Sequence, residues 1–144
     1  MLPGLDARDA KISLEFHHYP LNLFEITQAV VNKKISELDD DQTISCFEIA
    51  DIVMQEHYKN KIGLVPLSAS LHKMAHNKAI LIPFDKIYGN YEKFLSEYDQ
   101  HIPEEIKERI AVDKITNASD EAARFNKEKL EKKVSKFNIN YDEE

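Results

Sequence analysis

Four of the six histidines in this chain stand in two close pairs. The stretch FHHYP places His17 beside His18, and the stretch HKMAH places His72 four positions before His76. On a helix, residues four apart lie on one face with Cβ atoms roughly 6 Å apart. His72 and His76 can therefore offer two imidazoles to one cation, and a third ligand can come from the first pair.

The first pair stands at the end of a predicted strand. Residues 11–18, KISLEFHH, alternate between apolar and polar side chains, which is typical of a half-buried strand. Its apolar side would hold Ile12, Leu14 and Phe16. Adjacent strand residues point to opposite sides, so His17 and His18 are not expected to bind the same ion. This division predicts two roles, one metal ligand and one free base.

Two capping boxes predict helices between the histidine pairs. Asn22 with Glu25 would open a helix over about 23–36, and Ser45 with Glu48 would open a second. The apolar residues at helical spacing are Leu23, Ile26, Val30 and Val31 in the first helix and Phe47, Ala50, Met54 and Tyr58 in the second. The first set is expected to face the core.

The second histidine pair follows a short apolar run. Residues 62–67, IGLVPL, are broken by Pro66, which suits a short edge strand. Ser68 or Ser70 would then cap the helix that carries HKMAH. Residues 79–83 are a candidate for a further strand.

The second half of the chain is predicted to be helical. Its apolar and capping patterns are Tyr91, Phe94, Leu95 and Tyr98 in one helix, Pro103-Glu104-Glu105 at the start of another, and Leu130, Val134 and Phe137 in a last helix over about 119–137. The last stripe is interpreted as a packing face, either against the domain or against a second copy of the chain.

Composition and charge restrict the class of protein. A length of 144 residues suits one compact domain, with or without an appended helix. The start of the chain does not resemble a signal peptide, and no apolar stretch approaches 18 residues. The single cysteine, Cys46, cannot form an internal disulfide, which favours a cytoplasmic location.

The net charge of −7 is unusual for a protein that binds nucleic acid. Residues 59–93, however, contain six lysines against two acidic residues. This segment is either an ordinary solvated face or a surface for phosphate. Lys61, Lys73 and Lys78 are the candidates for contact with nucleic acid.

These motifs together resemble a known family. A strand ending in Glu-x-His-His, a strand of the type x-Leu-Val-Pro-Leu and a helix with His-x-x-x-His resemble the ββα-metal core of HNH endonucleases. The ligand pattern is similar to that of the DNase colicins, and the whole chain resembles small HNH-type proteins of tailed bacteriophages. The resemblance implies that His17, His72 and His76 bind metal, that His18 is the general base, and that Glu15 orients a ligand.

The resemblance also implies a fold. We expect an α+β protein with a small ββα-metal core, two short strands and a helix, embedded in a mainly helical domain. Residues 1–100 would form this domain, with a helical insertion at about 21–60, and residues 101–144 would form a C-terminal helical extension. The family's middle asparagine corresponds to Gly63 in this chain.

The implied function is a metal-dependent endonuclease that hydrolyses DNA phosphodiester bonds with one divalent ion (Zn, Ni, Mg or Mn) and a histidine base. Its partner would be DNA, and no membrane would be involved. The protein would act in the host cytoplasm if it is phage-encoded. The alternative is a non-catalytic protein with a structural metal site, which acts as an inhibitor or regulator by binding a partner protein. The C-terminal helices could also form a homodimer.

Overall fold

A computed structural model describes residues 13–118, 127–129 and 131–132. Two strands and five α-helices make up the regular structure of residues 13–118, and residues 127–129 and 131–132 are also helical, which confirms the predicted α+β class. The strands are β1 (Leu14–His18) and β2 (Leu64–Ser68), and the helices are α1 (Leu23–Glu37), α2 (Cys46–Tyr58), α3 (Ala69–His76), α4 (Tyr91–Glu97) and α5 (Glu104–Asn117). Short 3₁₀ turns lie at Phe84–Lys86 and Asp99–His101.

The two strands form an antiparallel pair in which His17 lies opposite Val65 and His18 lies opposite Leu64. Helix α3 begins directly after β2 and contacts both strands. The order strand, strand, helix is therefore present, with α1 and α2 inserted between the strands. Within the described residues, no helix is long and apolar enough to cross a membrane.

Local capping explains where three of the helices begin. The Asn22 side chain accepts from the backbone N–H of Glu25 at 2.8 Å, and the Glu25 carboxylate accepts from the backbone N–H of Asn22 at 3.4 Å. Ser45 opens α2 with the same reciprocal arrangement, and the Ser68 hydroxyl accepts from the backbone N–H of Leu71 at 3.3 Å. Each cap satisfies donors that a helix leaves unpaired at its first turn.

The hydrophobic core lies among the helices, beside the small sheet. Its buried members are Leu21, Ile26, Ala29, Val30, Ile49, Val53, Ile62, Phe94, Tyr98, Ile102 and Ile110. Ile102 and Ile110 come from the region predicted as a C-terminal extension. Helix α5, which carries Ile110, therefore packs into the same core as α1 and α2. The predicted stripe of Leu130, Val134 and Phe137 lies outside the described residues.

The predicted burial of β1 is wrong. Leu14 is 72% exposed and Phe16 is 66% exposed, whereas His17 is only 7% exposed. The reason is that α3 lies over the polar side of the strand, where His72 contacts both Glu15 and His17. The alternating pattern located the strand correctly, but it did not show which side of the strand α3 covers.

Helix α2 buries a different set of residues from the apolar set that was noted in its sequence. Phe47 is 87% exposed and Tyr58 is 76% exposed, whereas Ile49 and Val53 are buried. Both sets fit a helical period, and contact with the core selects the branched aliphatic stripe.

Residues 79–83 do not form the predicted strand. The backbone groups here find other partners: the Ala79 N–H donates to Met74 O at 2.8 Å, and Ile82 O accepts from the Asn117 side chain at 2.5 Å. The segment is hydrogen-bonded to the end of α5 and does not add a strand to the sheet.

Candidate metal centre

Three histidines from two elements converge on one point. His17 comes from β1, and His72 and His76 come from successive turns of α3. One ligating nitrogen from each residue lies within 4.8 Å of the others. The ring centroid of His17 is 5.1 Å from that of His72 and 4.9 Å from that of His76. The structure thus brings together all three residues that the sequence singled out as ligands.

Hydrogen bonds fix the orientation of His72. Its Nδ1 lies 2.5 Å from a carboxylate oxygen of Glu15, which can only accept when ionised, so Nδ1 carries the proton. The Nε2 lone pair then points towards His76, whose Nε2 is 2.8 Å away. Two nitrogens that share a tetrahedral zinc ion stand roughly 3.4 Å apart, so a small opening of this pair would admit an ion.

His17 has the properties of a buried neutral ligand. Its Nδ1 is buried and has no hydrogen-bond partner among the described residues. Burial, followed by the neighbouring His76, His72 and His18, lowers the pKa of His17 to about 4. The imidazole is therefore neutral at pH 7, as metal coordination requires.

The donor set fits a divalent transition ion. The usual components of such a site are present. They are an unpartnered buried nitrogen on His17, a lone pair of His72 that is directed at His76, and the carboxylate of Glu15, which holds one ligand. Closed structural zinc sites have four protein ligands, whereas catalytic sites have three and leave a position open. The metal-ligand cluster found in the described residues contains three.

His18 lies at the end of β1, next to the cluster. Its Nε2 is 3.0 Å from Nε2 of His57, and the Nδ1 of His57 is 2.7 Å from the carbonyl oxygen of Val53. Burial, His57 and His72, in that order, lower the pKa of His18. The sequence does not indicate this contact, because the two histidines are 39 positions apart.

A cleft of about 230 Å³ opens beside the histidines. Its lining includes His17, His18 and His76, together with Lys78 and Arg109. Arg109 was not foreseen, since it arrives from α5. Its guanidinium donates to both carboxylate oxygens of Glu25, at 2.6 and 2.7 Å, and to the carbonyl oxygen of Pro20 at 3.0 Å.

The three predicted phosphate-binding lysines differ in their surroundings. Lys73 and Lys78 are exposed, and Lys78 lines the cleft. Lys61 is only 8% exposed, and its ammonium lies 3.1 Å from Glu56 and 2.6 Å from Glu97. The hydrogen bond to Glu97 raises the pKa of Lys61. Because these two carboxylates pair with the buried ammonium group, Lys61 is not available to bind a phosphate.

Gly63 lies directly before β2 and packs against the backbone of Tyr19, which directly follows β1. The backbone N–H of Tyr19 donates to Gly63 O at 3.0 Å, and a Cβ atom on Gly63 would lie 2.0 Å from Tyr19 O. A side chain of any kind, asparagine included, would force the two backbones apart.

The fold and site define an α+β protein with a three-histidine cluster next to a two-stranded sheet. The chain belongs to the family of bacteriophage G278-like virion proteins, whose family model matches residues 1–143. No curated protein and no solved structure gave a significant match.

Proposed function

We propose that this phage protein is a metal-dependent endonuclease of the HNH type that hydrolyses DNA phosphodiester bonds. One observation carries the proposal: β1 and α3 bring His17, His72 and His76 to one point, while β1 places His18 at the edge of the same cleft. A ligand set with an open position beside a potential base is the minimum for hydrolysis.

Each residue has a distinct role in this proposal. His17, His72 and His76 would hold one divalent ion, and Glu15 would keep His72 in the tautomer that coordinates through Nε2. A bound ion would supply Lewis-acid stabilisation of the charge that develops on the phosphate. Nitrogen ligands favour zinc or nickel in affinity, while magnesium and manganese prefer oxygen ligands.

His18 would act as the general base. It would accept the proton of the attacking water, and the lowered pKa of His18 keeps the imidazole neutral and able to do so. Lys73 and Lys78 would contact backbone phosphates, since their ammonium groups are exposed on and after the helix that carries two ligands.

A second candidate is a non-catalytic protein in which the three histidines hold a structural metal and the surface binds a partner protein. The exposed apolar side of β1, formed by Leu14 and Phe16, favours this candidate. The description of the family as virion proteins is compatible with either function in the phage particle, and the host cytoplasm stays a prediction.

The test is cleavage of supercoiled plasmid by purified protein with Zn²⁺, Ni²⁺, Mg²⁺ or Mn²⁺, and with a chelator. The proposal predicts nicked or linear product with at least one ion and none with the chelator. His18→Ala should reduce turnover by about 10²–10⁴-fold, the usual contribution of a positioned base. His101→Ala, which removes an imidazole that does not line the cleft, is the matched control and should keep full activity.

Absence of cleavage with every ion, in protein that binds metal and is folded, would contradict the nuclease and favour the partner-binding candidate. Equal cleavage by wild type and His18→Ala would remove His18 from the mechanism.

A further inference from the structure

We infer that His57 is a positioning residue that fixes the tautomer of His18, so that Nδ1 of His18 is the atom that receives the proton. The inference rests on the proposed function and assigns a task to the inserted helix α2. It is carried by two consecutive hydrogen bonds that link β1 to the backbone of α2.

The first step is the tautomer of His57. Its Nδ1 lies 2.7 Å from the carbonyl oxygen of Val53, one helical turn earlier. A carbonyl oxygen can only accept a hydrogen bond, so Nδ1 of His57 carries the proton. In the neutral imidazole, Nε2 of His57 is then an acceptor.

The second step is the tautomer of His18. Nε2 of His18 lies 3.0 Å from Nε2 of His57. With both rings neutral, His18 must donate through Nε2, because His57 offers a lone pair there. The remaining lone pair of His18 is on Nδ1, and this is the nitrogen that can take a proton from water.

The third step is rigidity. His57 is partly buried on α2, and Val53, which anchors it, is 8% exposed and belongs to the core. The two histidine rings meet edge to face, with centroids 5.3 Å apart and planes at 82°. A base whose hydrogen-bond partner is held by a packed helix keeps its direction. Groups that orient a metal-ligating histidine through its other nitrogen typically contribute 10–100-fold, and we expect an effect of the same order for this base.

The experiment reads the tautomer directly. Long-range ¹H–¹⁵N correlation spectra of metal-free protein at pH 8 distinguish an Nε2–H imidazole from an Nδ1–H imidazole for each histidine. Wild type should show Nε2–H for His18 and Nδ1–H for His57. His57→Leu, which removes the acceptor, should shift His18 towards a mixture of tautomers, whereas His57→Gln, whose amide oxygen can accept, should retain more of the Nε2–H form.

Activity supplies the second readout. His57→Leu should lower kcat for plasmid cleavage by about 10–100-fold with unchanged zinc affinity, and His57→Gln should recover part of that loss. Thermal unfolding of both variants establishes that they are folded.

An Nδ1–H tautomer of His18 in wild type, or a His18 spectrum that His57→Leu leaves unchanged, would overturn the inference. Because the spectra need neither metal nor DNA, a protein that lacks nuclease activity but shows the expected tautomers would refute the proposed function alone.

Discussion

Glu15 illustrates how one carboxylate prepares a ligand. It stands two residues before His17 on the same side of β1, and its oxygen holds Nδ1 of His72 at 2.5 Å. The sequence resemblance implied that Glu15 orients a ligand, and the geometry identifies His72 as the ligand that it contacts. Such partners raise the basicity of the ligating nitrogen and fix its direction.

Removal of this carboxylate should therefore weaken the metal site without abolishing it. We expect Glu15→Ala to lower zinc affinity by about 10–100-fold, measured by competition with a chromophoric chelator. Asp51→Ala, which removes an exposed carboxylate from α2, is the matched control. Equal affinity of the Glu15 variant and wild type would show that the contact has no part in metal binding.

Burial of His17 links stability to pH in the metal-free protein. Its pKa falls from 6.5 to about 4 on folding, because burial and three neighbouring histidines disfavour the cation. Between these values the unfolded chain binds the proton more strongly, so the free energy of unfolding should decrease as pH falls from 6.5 towards 4.

Urea unfolding at several pH values measures this decrease. His17→Gln, which has no proton to bind, should show a shallower decrease than wild type, while His101→Gln should match wild type. A wild-type curve that is flat over this range would contradict the burial of His17.

At the scale of elements, the site depends on the junction between the two strands. Gly63 allows the start of β2 to lie against Tyr19, immediately after the histidine pair. We expect Gly63→Ala to destabilise the protein by about 1–3 kcal/mol through overpacking, and also to weaken zinc binding, because β1 and α3 would separate. Denaturant unfolding with and without zinc measures both effects.

Pro66→Ala, at an exposed position of β2, provides the comparison and should change zinc affinity little. A Gly63→Ala variant with wild-type stability would show that the junction tolerates a side chain.

Elements with local determinants were predictable from sequence. Asn22 with Glu25, and Ser45 with Glu48, define helix starts within four residues, and the structure has both caps. The covered side of β1 was predicted wrongly because the pattern of a strand does not include the helix that packs on it. His57 contacts His18 across 39 positions of sequence, and Arg109 contacts Glu25 across 84 positions. No local pattern contains such contacts.

At the scale of the whole molecule, a net charge of −7 must be reconciled with DNA as substrate. Lys61 does not contribute, since Glu56 and Glu97 hold its ammonium inside the protein. The exposed positive charge near the site comes from Lys73 and Lys78, so the proposed DNA surface is small.

Reversal of either charge should therefore weaken binding measurably. In the His18→Ala background, which lacks the proposed base, Lys73→Glu or Lys78→Glu should lower affinity for duplex DNA and reduce the salt slope by about 1. Lys34→Glu on α1 makes the same charge change outside the cleft lining. If all three variants bind alike, DNA does not lie across α3.

The central claim is that three imidazoles bind one ion while the adjacent imidazole stays free, and calorimetric titration with zinc tests it most directly. Wild type should bind one equivalent, and His18→Ala should bind one equivalent with similar affinity. His17→Ala should lose affinity by at least tenfold, because one of three ligands is gone. Loss of zinc from His18→Ala with retention by His17→Ala would reverse the two roles, and a wild-type protein that binds no zinc, nickel or manganese would contradict the account.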